Sequence, residues 1–170
     1  MGEVLHLSLQ MALGIAFPIL IIRRDIARLT EPLAHVLNEL GSKAALVIHG
    51  ASGLDELNTT GPNRVSHLKD GAVETYDLQP ADLGLAPSTV QDLRGGTPDE
   101  STVMMRELLS SKLNGARRDA VLLNAAAALA AETGDFKSAL EEAADALESG
   151  KALAKLDALV EFSQAFQVLQ

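Results

Sequence analysis

The sequence predicts an α/β fold, an incomplete mixed sheet flanked by helices. Two observations lead to it. The apolar run Ala44-Ala45-Leu46-Val47-Ile48-His49 sits between an amphipathic helical stretch and a glycine-rich loop, as an interior strand covered on both faces does. Beyond residue 96 the chain then carries four helical stretches, separated by Asn114-Gly115, Gly134 and Gly150, each break a natural helix stop.

The elements follow in order. Met11–Ile22 is apolar but only twelve residues long, too short to span a bilayer as a helix. Glu3 precedes it and Arg23-Arg24 follow it, the reverse of the charge order of a secretory signal. It predicts a buried strand near Leu13–Phe17, ended by Pro18. Leu29, Leu33, Val36, Leu37 and Leu40 share one face of a helix near Ile26–Leu40, with Pro32 close to its start. After the strand ending at His49 comes the loop Gly50-Ala51-Ser52-Gly53. Val65–Leu68 and Val73–Leu78 then flank Lys69-Asp70-Gly71-Ala72, the signature of a β-hairpin. Ala81–Gly96 reads as irregular, broken by Pro87 and Gly95-Gly96. Thr97, Pro98 and Glu100 form a capping box for a helix running to about Leu113. The next helix covers about Arg117–Glu132. The third starts at a capping box of Ser138 and Glu141, or earlier at Asp135, and stops at Gly150. The fourth runs from Lys151 to about Val168. By organisation, residues 1–24 form an atypical apolar N-terminal segment and residues 25–170 one α/β domain.

Composition narrows the function classes. The 170 residues suffice for a single core. With 3% aromatics, no Trp and one Tyr, there is too little for a base-stacking surface. A net charge of −9 disfavours a phosphate-backbone partner, so nucleic acid is not expected, and neither is a membrane. The absence of Cys rules out disulfides and thiolate metal sites and is compatible with a cytoplasmic location. A small phosphorylated substrate stays open, because a metal ion can supply positive charge locally.

Asp55-Glu56 is the one candidate site. Neighbouring residues point to opposite faces of a strand and diverge by about 100° on a helix, so adjacent carboxylates converge readily only on a loop. Gly50 and Gly53 provide one, beyond the C-terminal end of the strand that closes at His49, where open α/β sheets bind ligands. On spacing alone a solvated acidic pair is the commoner outcome. His49 reads as a core-edge histidine with a backbone hydrogen bond before it reads as a base or ligand. Arg117-Arg118 could hold an anion at a helix start but more commonly bridge to a carboxylate. Thr59-Thr60-Gly61-Pro62 reads as a turn. Asn124, on an apolar helix, reads as a partner for buried backbone groups. Ala125–Ala128 gives a slim surface for close packing.

Four segments carry a family resemblance: Ala45-Leu46-Val47-Ile48-His49-Gly50-Ala51-Ser52-Gly53-Leu54-Asp55-Glu56-Leu57, Thr59-Thr60-Gly61-Pro62-Asn63-Arg64-Val65, Arg118-Asp119-Ala120-Val121-Leu122-Leu123-Asn124-Ala125-Ala126-Ala127-Ala128-Leu129, and Ser149-Gly150-Lys151-Ala152-Leu153. In this order they resemble the anthranilate phosphoribosyltransferase family, and Glu31-Pro32-Leu33-Ala34 fits the helix before them. The resemblance implies a C-terminal domain of the nucleoside phosphorylase and phosphoribosyltransferase type. It implies transfer of a phosphoribosyl group from 5-phosphoribosyl 1-diphosphate (PRPP) to anthranilate in tryptophan biosynthesis, with Mg²⁺ as cofactor and Asp55 and Glu56 as its ligands. It also implies a homodimer formed through an N-terminal helical domain, which this sequence lacks. The family's Gly-Thr-Gly-Gly-Asp and Lys-His-Gly-Asn segments do not occur here either, so the chain alone is expected to be inactive. Ser52 and Thr97 stand where the family commonly has Asp, Ser101 where it has Asn, and residues 19–28 look inserted or replaced. The rival readings are a non-catalytic fragment or interaction module, and a pyrimidine nucleoside phosphorylase relative.

Overall fold

The computed structural model describes residues 19–21 and 27–167. Four strands form one mixed sheet in sequence order: β1 (Ile19–Ile21), β2 (Ala44–His49), β3 (Asn63–Lys69) and β4 (Ala72–Leu78). β1 runs parallel to β2, with Ile19 opposite Leu46 and Ile21 opposite Ile48. β2 with β3 and β3 with β4 are antiparallel. Between β1 and β2 lie a short 3₁₀ turn, Ala27–Leu29, and helix α1 (Thr30–Glu39). The C-terminal half is helical: α2 (Pro98–Leu109), α3 (Ala116–Ala130), α4 (Phe136–Glu148) and α5 (Lys151–Gln167).

β2 is apolar from Ala44 to Ile48 because both its faces are covered. Successive side chains on a strand alternate between faces. Leu46 and Ile48, with Val65 of β3, meet Leu123, Ala126, Ala127 and Ala130 of α3 and Phe136 and Ala139 of α4. Ala45 and Val47, with Leu68, meet Ala34 and Leu37 of α1. The alanines of α3 are what allow that helix to lie close against the sheet; Ala126, Ala127 and Ala130 are all fully buried. A third apolar cluster joins the helices to one another through Leu108, Leu122, Ala143 and Leu147.

The hairpin forms where the sequence predicts it. Asp70 (φ 49°) and Gly71 (φ 81°) both occupy the left-handed region, as a two-residue turn of the primed type requires. β3 begins at Asn63, two residues before the expected start. The capping box of α2 is also as expected, with Thr97 accepting from the Glu100 amide and Glu100 accepting from the Thr97 amide.

Of three further boundaries, one lies outside the described residues, one differs from expectation and one takes the earlier of two expected starts. The strand expected at residues 13–17 lies outside the described residues. The described strand, β1, comes after Pro18, at the start of the stretch expected to be inserted or replaced. Helix α2 stops at Leu109, not near Leu113. Ser111 turns left-handed (φ 58°), and the amides of Ser111 and Lys112 fold back onto the carbonyls of Leu108 and Glu107, a Schellman closure achieved without glycine. Helix α4 is capped by Asp135, whose carboxylate accepts from the amides of Lys137 and Ser138, so Ser138 lies inside the helix and starts no capping box.

Candidate functional site

Beyond His49 the chain makes a 3₁₀ turn, Ala51–Gly53, bends through Asp55 and Glu56, and returns through Thr59-Thr60 to β3. A thirteen-residue connection (residues 50–62) between strands must satisfy many backbone groups without a ladder, and here side chains do it. Asn63 Oδ1 accepts from the amides of Ala51 (3.1 Å) and Asn58 (3.0 Å), and its Nδ2 donates to the Asn58 carbonyl (2.9 Å). Asn58 Nδ2 donates to the carbonyls of Ala51 and Glu56, both at 3.1 Å. Its Oδ1 accepts from the Thr60 amide (3.0 Å) and hydroxyl (2.6 Å). Asn58 and Asn63 are completely buried. Sequence reasoning gave neither a role. Two asparagines in a loop that folds back under its own strand were the available signal.

Gly50 is required by close approach. A Cβ there would fall on the Glu56 carbonyl oxygen, 2.6 Å from the Leu54 carbonyl oxygen and 2.8 Å from Asn58 Nδ2. The Gly50 amide meanwhile donates to the Leu54 carbonyl at 3.1 Å.

Asp55 and Glu56 therefore sit on a loop, as expected, and both are exposed. Glu56 nevertheless has its pKa raised. The first cause is the protein around its carboxyl, which displaces water, and the second is the negative charge of Asp55 nearby. Among the described residues no third His, Asp or Glu joins them in a group able to hold a metal. A cleft of about 510 Å³ opens beside the turn, lined by Arg28, His49, Ser52, Arg64 and Asp77 among others. Asp55 and Glu56 follow the turn but do not line this cleft. Arg64 pairs with Asp77 across β3 and β4 at 3.2 Å, so the cleft carries two guanidinium groups against one carboxylate.

His49 is partly buried at the end of β2 and lines the cleft. Arg118 bridges to Glu148 at 2.9 Å, and Arg117 donates to the Arg94 carbonyl at 2.7 Å. Thr59–Pro62 is a turn, with Thr59 Oγ1 lying 2.6 Å from Ser88 Oγ. Asn124 does bond backbone groups, reaching from α3 to both the N–H and the C=O of Leu57.

Residues 21–153 match the model of the glycosyl transferase family, a/b domain. The chain belongs to this family. It is 42% identical over 140 residues to the anthranilate phosphoribosyltransferase of Desulfosudis oleivorans, an alignment covering 81% of this chain and 41% of that protein. Its backbone superposes on the crystal structure of the Thermus thermophilus anthranilate phosphoribosyltransferase with a TM-score of 0.71 at 36% identity, covering 79% of this chain and 40% of the other. The fold also matches the Saccharomyces cerevisiae enzyme in complex with PRPP and Mg, with a TM-score of 0.71 at 23% identity and coverage of 83% and 41%. The chain thus spans about two fifths of the length of the relatives it matches.

Proposed function

We propose that this chain carries the metal-binding part of an anthranilate phosphoribosyltransferase, the enzyme that moves a phosphoribosyl group from PRPP to anthranilate, with diphosphate as leaving group. The observation that carries the reading is the acidic pair itself. Asp55 and Glu56 lie on a side-chain-locked loop at the C-terminal end of β2, within a family match that covers most of the chain.

The donor set suits Mg²⁺. That ion commonly takes one or two carboxylates and completes its shell with substrate phosphates and water, so a third protein ligand is not required. The raised pKa of Glu56 comes first from the protein that displaces water around its carboxyl and second from the negative charge of Asp55, and a divalent cation beside the pair offsets both. Bound at the pair, Mg²⁺ supplies the positive charge that a diphosphate needs as its bond to carbon breaks. Asp55 and Glu56 hold and orient that charge. Arg28 and Arg64, on the wall of the neighbouring cleft, give the approach a sign suited to phosphate in a chain that is otherwise strongly acidic. On the same family reading the protein is cytoplasmic.

Both substrates must be positioned at once for transfer, and this sequence contains no Gly-Thr-Gly-Gly-Asp loop. The chain alone is therefore inactive in this reading but binds Mg²⁺ together with PRPP. Calorimetric titration of Mg²⁺ in the presence of PRPP tests it. The expected result is a saturable signal that the double variant D55N/E56Q loses. A wild-type titration without that signal would sink the assignment, and normal turnover with anthranilate would overturn the inactivity.

A further inference from the structure

The two acids are strung between two anchors, and the second anchor comes from a distant part of the chain. On the N-terminal side, the Leu54 carbonyl is held by the Gly50 amide at 3.1 Å. On the C-terminal side, the Leu57 amide donates to Asn124 Oδ1 at 3.0 Å, and Asn124 Nδ2 donates to the Leu57 carbonyl at 2.7 Å. Only Asp55 and Glu56 lie between Leu54 and Leu57. The Glu56 carbonyl is itself held by Asn58 Nδ2, and the Leu57 side chain is buried in the core against α3 and α4.

Asn124 reads both backbone groups of one residue, as a strand neighbour would, and can do so in only one amide orientation. Its Nδ2 also donates to the Ala120 carbonyl at 2.8 Å. That bond fixes the side chain to its own helix, so the position of α3 is transmitted to Leu57. A helix residue sixty-seven positions further along the chain therefore sets where the acidic pair stands.

We infer that Asn124 is a positioning residue for the metal-binding carboxylates, holding Asp55 and Glu56 in register for a divalent cation without touching it. This rests on the metal reading above. Groups that orient ligands from behind typically govern metal affinity by about 10- to 100-fold. Asn124 is suited to that role because the loop it holds has no ladder of its own.

The test is nuclear magnetic resonance on the full chain with Mn²⁺ and inorganic diphosphate as probes. In the wild type, paramagnetic broadening should centre on the amides of Asp55 and Glu56. Asn124→Ala should weaken the apparent Mn²⁺ affinity about tenfold or more. Asn124→Gln keeps the amide but displaces it; it should weaken binding too, and serves if the alanine variant does not fold. Leu122→Ala is the control, since Leu122 is buried on α3 among Leu108, Ala143 and Leu147, a cluster separate from the one that holds Leu57. It should lower the melting temperature while leaving Mn²⁺ affinity unchanged. Wild-type affinity in both Asn124 variants overturns the inference and spares the metal reading. Equal loss of affinity in Leu122→Ala overturns the inference as mere destabilisation. A wild type with no broadening at Asp55 and Glu56 overturns the metal reading and the positioning role together.

Discussion

The loop from Gly50 to Asn63 and the terminal helix α5 are held by opposite means. The loop has no regular ladder, yet it is fixed by buried amide side chains and a glycine with no room for a Cβ. Helix α5 has a complete backbone ladder of its own but little cover. Leu159 and Phe162 are 62% and 64% exposed, and an exposed ion pair, Arg106 with Asp157 at 2.9 Å, ties it to α2. Regular structure and fixity are thus separate properties. The irregular segment is the one whose geometry is over-determined, which is what a segment presenting two repelling carboxylates needs.

The contrast breaks most clearly at Gly50. Gly50→Ala places a methyl group on fixed backbone oxygens, and overpacking of this kind costs about 3 kcal/mol or more. Chemical denaturation should register that loss. Hydrogen exchange should show the amides of Ala51 and Asn58 opening ahead of β2. A variant with wild-type stability would mean that the loop yields easily. Asn63→Ala comes next. It strips the partner from two buried amides and from the carbonyls of Asn58 and Gly61, at about 1–3 kcal/mol for each buried group left unpaired, partly offset by relaxation and water entry. Equilibrium unfolding should place it between Gly50→Ala and any single change on α5.

What the sequence made legible follows the same divide. β2, the hairpin at Asp70-Gly71 and the start of α2 at Thr97 were readable because each has a local signal: a continuous apolar run, a two-residue turn, a capping box. α3 and its alanine face were readable as a packed helix for the same reason. The location of the acidic pair on a loop at a strand's end was readable from Gly50 and Gly53. Of its fixation, the role of Asn124 as a partner for backbone groups was readable, but not that the partner is Leu57, sixty-seven residues away, nor that Asn63 acts on residues five and twelve positions away. Such bonds leave no periodic trace. The end of α2 escaped because Ser111 adopts the left-handed turn usually left to glycine. β1 escaped because three residues following a proline become a strand only by pairing with β2.

On the loosely covered side the expected effects are small. Arg106→Ala removes a bridge whose partners are about half exposed, and such surface pairs contribute about 0.5 kcal/mol. Thermal melts should move by a degree or two, and less in high salt. A loss as large as that of Asn63→Ala would show that α5 is anchored far more firmly than its exposure implies.

The smallest effect separates the helical half from the loop by pH. The hydroxyl and amide of Ser138 and the amide of Lys137 hold Asp135 below its ordinary pKa of 3.8. A carboxylate depressed on folding contributes stability that is present above its unfolded value and lost as pH falls through its folded value. Asn caps a helix about as well as Asp but does not titrate. Asp135→Asn should therefore match the wild type near neutrality and become relatively more stable as the pH drops below 3.8. Two-dimensional spectra should place the divergence at the first turn of α4, leaving the Gly50–Asn63 loop unchanged. A constant difference between the two proteins from neutral to acid pH would mean that the cap at Asp135 does not depend on charge.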